Sequence, residues 1–148
     1  MLTRYGKFTY TISEISKNLQ KVSQDEMKKF GLHGSYAKYV LAILRGGPMT
    51  AAQLAETCDR NKADVSRAIG VLEGEGVVVK LVSETNYRVR IALTERGEMI
   101  GNKLSERLKL VLGHVSGDIS EEELASFYHT LEVISQNLQK ISDFGLPE

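Results

Sequence analysis

Two apolar stripes, one near each end of a 148-residue chain, constrain the fold more than any other feature. The first runs Tyr5, Phe8, Ile12, Ile15, Leu19 and Val22, at steps of 3, 4, 3, 4 and 3 residues. It continues less regularly through Met27 and Phe30 to Gly31, a plausible C-terminal stop. The second runs Leu124, Phe127, Leu131, Ile134, Leu138 and Ile141 at the same steps, opened by Ser120 and Glu123 as a capping box. Steps of three and four trace one line along an α-helix. Each line is narrow, close to an a/d seam, and a seam of that kind prefers another helix as its partner. Two seams flanking a compact middle suggest a helical dimerisation layer; packing within one chain is the alternative.

The middle reads as short elements. Tyr36, Val40, Ile43 and Leu44 share one side of a helix that ends at Gly46-Gly47-Pro48. Thr50 with Gln53 forms a second capping box and opens a short helix to about Thr57. Asp59 or Asn61 caps a third helix with core positions Val65, Ala68, Ile69 and Leu72, ended by Gly74-Glu75-Gly76. Two short helices joined by a turn of a few residues make a helix-turn-helix. Val77 to Val82 is too short and too β-branched for a helix of its own. Ser83-Glu84-Thr85-Asn86 reads as a tight connection. In the next strand Tyr87, Val89, Ile91 and Leu93 alternate with Arg88, Arg90 and Ala92, so a period of two puts both arginines on one face. Thr94 caps a further helix whose apolar side is Met99 or Ile100, Leu104, Leu108, Val111 and Val115. The expected fold is mainly α (α+β), with one small hairpin.

Composition narrows the class. Apolar residues make up 42% and charged residues 26%, the balance of a soluble globular protein. The longest wholly apolar run, Tyr39 to Leu44, is far below the roughly 20 residues a membrane helix needs. The first ten residues contain no apolar block of the secretory type. A single cysteine, Cys58, excludes an intramolecular disulfide and suits a reducing cytoplasm. Formal net charge is zero, yet residues 1–45 carry eight basic groups against three acidic. Residues 118–148 carry seven acidic groups against one basic. The local excess, rather than the total, decides what can approach a polyanion.

Residues 49–97 resemble the winged helix-turn-helix of the MarR family of bacterial transcriptional regulators. The matching words are Thr50 with Gln53-Leu54-Ala55, Asn61-Lys62, Val65-Ser66-Arg67, Leu72-Glu73 with Gly76-Val77-Val78, and the closing Leu93-Thr94-Glu95-Arg96-Gly97. Each word alone is weak; their order and spacing are specific. The resemblance implies one winged-helix chain, with an N-terminal dimerisation helix (1–31), a winged helix-turn-helix (32–97) and C-terminal dimerisation helices (98–148). It implies a homodimer on a near-palindromic double-stranded DNA operator, with small-molecule or redox control usual; a cytoplasmic repressor is the expected role. It places Asn61, Lys62, Ser66 and Arg67 at the DNA. A recognition helix concentrates its contacts near its N-terminus, which agrees with those positions. Thr50 would present its hydroxyl and backbone N–H groups to a phosphate. Lys80, Arg88 and Arg90 of the wing would approach the backbone or minor groove. The family wing commonly carries Asp-x-Arg; this one reads Ser83-Glu84-Thr85-Asn86-Tyr87-Arg88 and has no Asp.

Redox members of the family carry a cysteine in the first helix, which has none here. Cys58 stands beside Asp59, whose charge disfavours a thiolate, so a structural thiol is the better reading. His33, His114 and His129 fall in three different elements, so no metal site and no cofactor is expected. Small-molecule sensors of the family bind between the dimerisation helices and the winged domain. Tyr10, His33, Tyr36 and Tyr39 fall near that junction and suit an aromatic ligand; aromatic residues at helical spacing are also ordinary core. No GxSxG, P-loop, HExxH or GxGxxG pattern is present, so an enzyme is not expected. The alternative function is a winged-helix protein-interaction module that does not bind DNA.

Overall fold

The first apolar stripe forms helix α1 (Arg4–Lys28), opened by Thr3, whose hydroxyl accepts the Gly6 N–H at 3.1 Å. The computed structural model describes residues 3–85 and 88–148. Two expectations at the hairpin tip, Asn86 in the connection and Tyr87 in the strand, lie outside the described residues. α1 ends at Lys28 rather than Gly31. The amides of Lys29, Phe30 and Gly31 bond to carbonyls three residues back, tightening the exit, and Gly31 then takes φ +75°. A 3-10 turn (Gly34–Tyr36) leads into α2 (Ala37–Gly46). Tyr36 therefore precedes that helix instead of lying inside it. The His33 ring accepts the Ser35 N–H and gives the turn a cap of its own.

The helix-turn-helix is α3 (Ala51–Thr57) followed by α4 (Lys62–Gly74). Both halves of the Thr50 capping box form: Gln53 N–H donates to the Thr50 hydroxyl at 3.2 Å, and Thr50 N–H donates to Gln53 Oε1 at 2.9 Å. Of the two caps weighed for α4, Asn61 is used; its Oδ1 accepts the Asp64 N–H at 2.8 Å. Asp59 takes φ +51° in the turn, a conformation that Asp tolerates better than bulkier residues do. Arg60 N–H closes the turn on Ala55 O at 2.9 Å.

Strands β1 (Val78–Val82) and β2 (Val89–Leu93) pair antiparallel, with Val78 opposite Leu93 and Val82 opposite Val89. Met49 exchanges two backbone bonds with Ile91, adding a short third edge from the residue before Thr50. The expected alternation fails at the base of the hairpin, where Ile91 and Ala92 are both buried. α2 and α3 pack against β2 there and α4 against β1, which covers Ile91 and Ala92 on neighbouring positions of β2. Val79 near the base and Leu81, Val82 and Val89 toward the tip are exposed, and the hairpin projects.

The core gathers Val65, Ala68, Ile69 and Leu72 of α4 with Leu54, Val40, Val77, Ile100 and Leu104. Ile100, not Met99, is the buried member at the start of α5 (Glu95–Val115). Thr94 caps that helix and also ties it down: its hydroxyl accepts the Gly97 N–H at 3.1 Å and lies 2.5 Å from Gly76 O. Arg96 donates to Glu75 O at 2.6 Å. A Cβ on Gly97 would fall 2.1 Å from Val77 O, so only glycine lets α5 start this close to the hairpin. The closing Leu93-Thr94-Glu95-Arg96-Gly97 word is thus a lock between the end of α4, the hairpin and α5.

Two compact units divide within α5, at Met1–Lys109 and Leu110–Glu148. This division by compactness differs from the division by role at residues 31 and 97. In the first unit Phe8, Ile12 and Ile15 of the α1 stripe are exposed, Leu19 and Val22 half-buried and Met27 buried. The second unit holds the end of α5 and α6 (Glu121–Phe144). Ser120 caps α6 by accepting the Glu123 N–H at 3.2 Å, the forward half of the expected box. No described residue of α6 is buried: Leu124, Leu131 and Ile134 are half-buried, and Phe127, Leu138 and Ile141 are exposed.

Candidate nucleic-acid interface

Helix α4 is sharply two-sided. Val65, Ala68, Ile69 and Leu72 are at most 3% exposed, whereas Asn61, Lys62, Ser66 and Arg67 are exposed. Lys62 and Ser66 stand one turn apart on the same face. Arg67 Nη2 donates to Asp64 Oδ1 at 2.5 Å. Asn61, Asp64 and Arg67 thereby form a linked row along the outer side of the helix, because Asn61 caps the amide of the residue that holds the guanidinium. Asp64 was not singled out from the sequence, although an acid three residues before an arginine is a readable helical pair.

The wing separates its cations. Residues directly opposite in an antiparallel pair share a face, so Arg90 lies with Leu81, and Lys80 lies with Ile91 on the other face. Arg88 and Arg90 line one hollow with Leu81, Val82 and Ser83. Lys80 instead points toward α4, where its ammonium is 3.7 Å from Glu73. The three wing cations are therefore two sets, Arg88 with Arg90 and Lys80 with Glu73. This second acid–base contact joins different elements, and no local spacing announces it.

At α3 the capping box occupies the Thr50 N–H, so that amide is not presented to a phosphate as expected. The hydroxyl hydrogen and the first-turn amides of Ala51 and Ala52, which have no intrahelical carbonyl, remain for that role. Arg60, exposed in the turn between α3 and α4, is a further cation that the sequence reading passed over.

The four aromatic residues expected at a ligand site differ in exposure. His33 and Tyr36 lie with ring centroids 5.8 Å apart. Tyr39 is in the core, and Tyr10 is exposed on α1. A shallow, open hollow lined by Gly46, Pro48, Met49, Gln53, Glu56 and Thr57 includes none of the four. Cys58 is half-buried at the end of α3, its thiol 3.6 Å from Lys38 O. Burial pushes that thiol upward from its ordinary value, against the pull of Lys38 and Arg60, which favours the protonated form. Among the described residues no three His, Cys, Asp or Glu side chains converge to hold a metal, and no helix is long and apolar enough to cross a membrane.

The arrangement of capped α3, turn, two-sided α4 and projecting hairpin defines a winged helix-turn-helix protein. Residues 30–88 match the family model MarR_2, described as MarR family. Over that segment the chain is similar to the MarR family of transcriptional regulators. A Bacillus cereus (strain ATCC 10987 / NRS 248) protein, named as an uncharacterized HTH-type transcriptional regulator, is 26% identical over 122 residues, covering 81% of each chain. Among solved structures, a MarR family protein from Bacillus stearothermophilus is similar at a TM-score of 0.82 and 20% identity, over 95% of this chain and 100% of that one. A Listeria monocytogenes chain, described as a MarR family regulator and solved with a 26mer DNA, is similar at a TM-score of 0.76 and 17% identity, over 95% of this chain and 97% of that one.

Proposed function

We propose that this protein is a sequence-specific DNA-binding repressor that acts in the cytoplasm as a homodimer on a near-palindromic operator. The observation that carries the reading is the division of α4, whose apolar side is sealed into the core while Asn61, Lys62, Ser66 and Arg67 stand outward at its N-terminal half. That is the geometry a helix needs to dock on its own domain and lie in a major groove. Arg88 and Arg90 on the hairpin supply positive charge for the flanking backbone or minor groove. The Listeria relative with bound DNA supports the same use of the fold. The uncovered seam residues of α1 and of α6 support a dimer, since a second copy of each helix is the kind of partner such a seam takes. Release by a small aromatic ligand belongs to the same reading, with the His33–Tyr36 pair as its first contact and Tyr10 and Tyr39 the residues to test beside it.

Fluorescence anisotropy with labelled duplexes tests this directly. Affinity should fall steeply with added salt, and Arg67→Ala should weaken binding to a preferred duplex by about 1–3 kcal/mol. An Arg67→Ala protein that binds as well as the parent would remove Arg67 from the interface. Absence of duplex binding at low salt would favour the protein-interaction module instead.

A further inference from the structure

Helix α4 carries as many acids as bases, Asp64 and Glu73 against Lys62 and Arg67. A helix that only clung to phosphates would gain nothing from those carboxylates, because each repels the polyanion. Both acids touch cations assigned to the interface: Asp64 binds Arg67 at 2.5 Å and Glu73 approaches Lys80 at 3.7 Å. Asp64 is the better placed of the two. Its side chain is two-thirds covered, more than that of Glu73, and Asn61 caps its backbone amide. The Arg67 side chain is 73% exposed and would otherwise sample many rotamers.

Resting on the DNA-binding reading above, we propose that Asp64 is a specificity-determining positioning residue, which holds the Arg67 guanidinium as an oriented fork for a guanine edge. Arginine has five N–H donors in one plane, and one bond from Nη2 to Asp64 leaves enough for two parallel bonds to guanine O6 and N7. Fixing the fork before binding lowers the ordering cost when the correct base is met. The carboxylate also penalises sequences that offer it no donor, so it lowers affinity for the wrong DNA more than for the right one. An exposed ion pair of this spacing adds little to stability; its effect is on orientation and on selection.

The test uses the full-length protein and two duplexes of equal length, one recovered by the wild type from a random library and one of random sequence. Asp64→Ala should bind the random duplex several-fold more tightly and lose about tenfold or more of its preference for the recovered one. The loss should fall at the same G·C pair that Arg67→Ala relaxes, and in the Arg67→Ala background Asp64→Ala should no longer change base preference. Asp64→Asn, which keeps the shape and removes the charge, should move in the same direction and guards against a folding defect. Enrichment of a sequence by the wild type, with unchanged preference in both Asp64 variants, would overturn the role of Asp64 alone. Failure of the wild type to enrich any sequence would overturn the DNA-binding reading and this role with it.

Discussion

Gly97 sits where a side chain has no room. The Val77 carbonyl that a Cβ would meet at 2.1 Å already accepts the Thr94 amide and lies 3.2 Å from its hydroxyl, so neither partner can move cheaply. Gly97→Ala should therefore destabilise the fold by about 1–3 kcal/mol or more, read by chemical denaturation. An unchanged midpoint would contradict the lock. Glu26 on α1 is held by Lys29 at 2.8 Å and by Arg107 of α5 at 3.2 Å. The Lys29 hydrogen bond first, and then Arg107, lower its carboxyl below the ordinary value near 4.5, with burial opposing. A carboxylate held low adds stability above its unfolded value and loses it as pH falls through the folded value. The melting-temperature gap between wild type and Glu26→Gln should thus be open at pH 7 and close below about pH 4. A gap independent of pH would show that the ion pair contributes nothing. Cys58 is held as a thiol, so peroxide should weaken DNA binding of wild type and Cys58→Ser equally; protection by the substitution would reveal a redox sensor.

At the scale of elements, the helix-turn-helix rests on its two caps. Thr50→Ala removes the box that opens α3 and should cost about 0.5–2 kcal/mol of stability, as well as weakening DNA affinity through the lost hydroxyl. A variant as stable as the parent would mean that the box is incidental. These caps were legible because Thr50–Gln53 and Asn61–Asp64 are local, three residues apart. The docking face of α4 was legible for the same reason, since helical periodicity alone selects Val65, Ala68, Ile69 and Leu72. The third sheet edge at Met49 and the Lys80–Glu73 contact were not, because they join segments that only tertiary packing brings together. Asp64 is the intermediate case: its spacing to Arg67 was in plain view, but three residues between acid and base marks most helical surfaces. The hairpin alternation misled for a physical reason. Period two predicts a polar outer face, but Ala92 on that face is buried along with Ile91, where α2 and α3 pack against β2.

For the whole molecule, zero net charge is compatible with DNA binding because the charges are segregated by position: the N-terminal third is basic and the C-terminal segment acidic. On the proposed DNA-binding reading, low net charge makes non-specific affinity modest, and discrimination comes from α4 and from two-fold repetition of it. The repetition requires a dimer, and sedimentation should give a mass near twice the 16.4 kDa chain. Replacing Phe8 and Ile12 of α1, or Phe127 and Leu138 of α6, by Glu should shift the protein toward monomer and weaken operator binding. A wild-type monomer would leave the seams unexplained. The central claim is that the exposed side of α4 reads sequence as a symmetric pair, and selection of bound duplexes from a random library measures it most directly. The account predicts an enriched near-palindrome with half-sites about one helical turn, roughly 10 bp, apart. An asymmetric single site, or no enrichment at all, would contradict it.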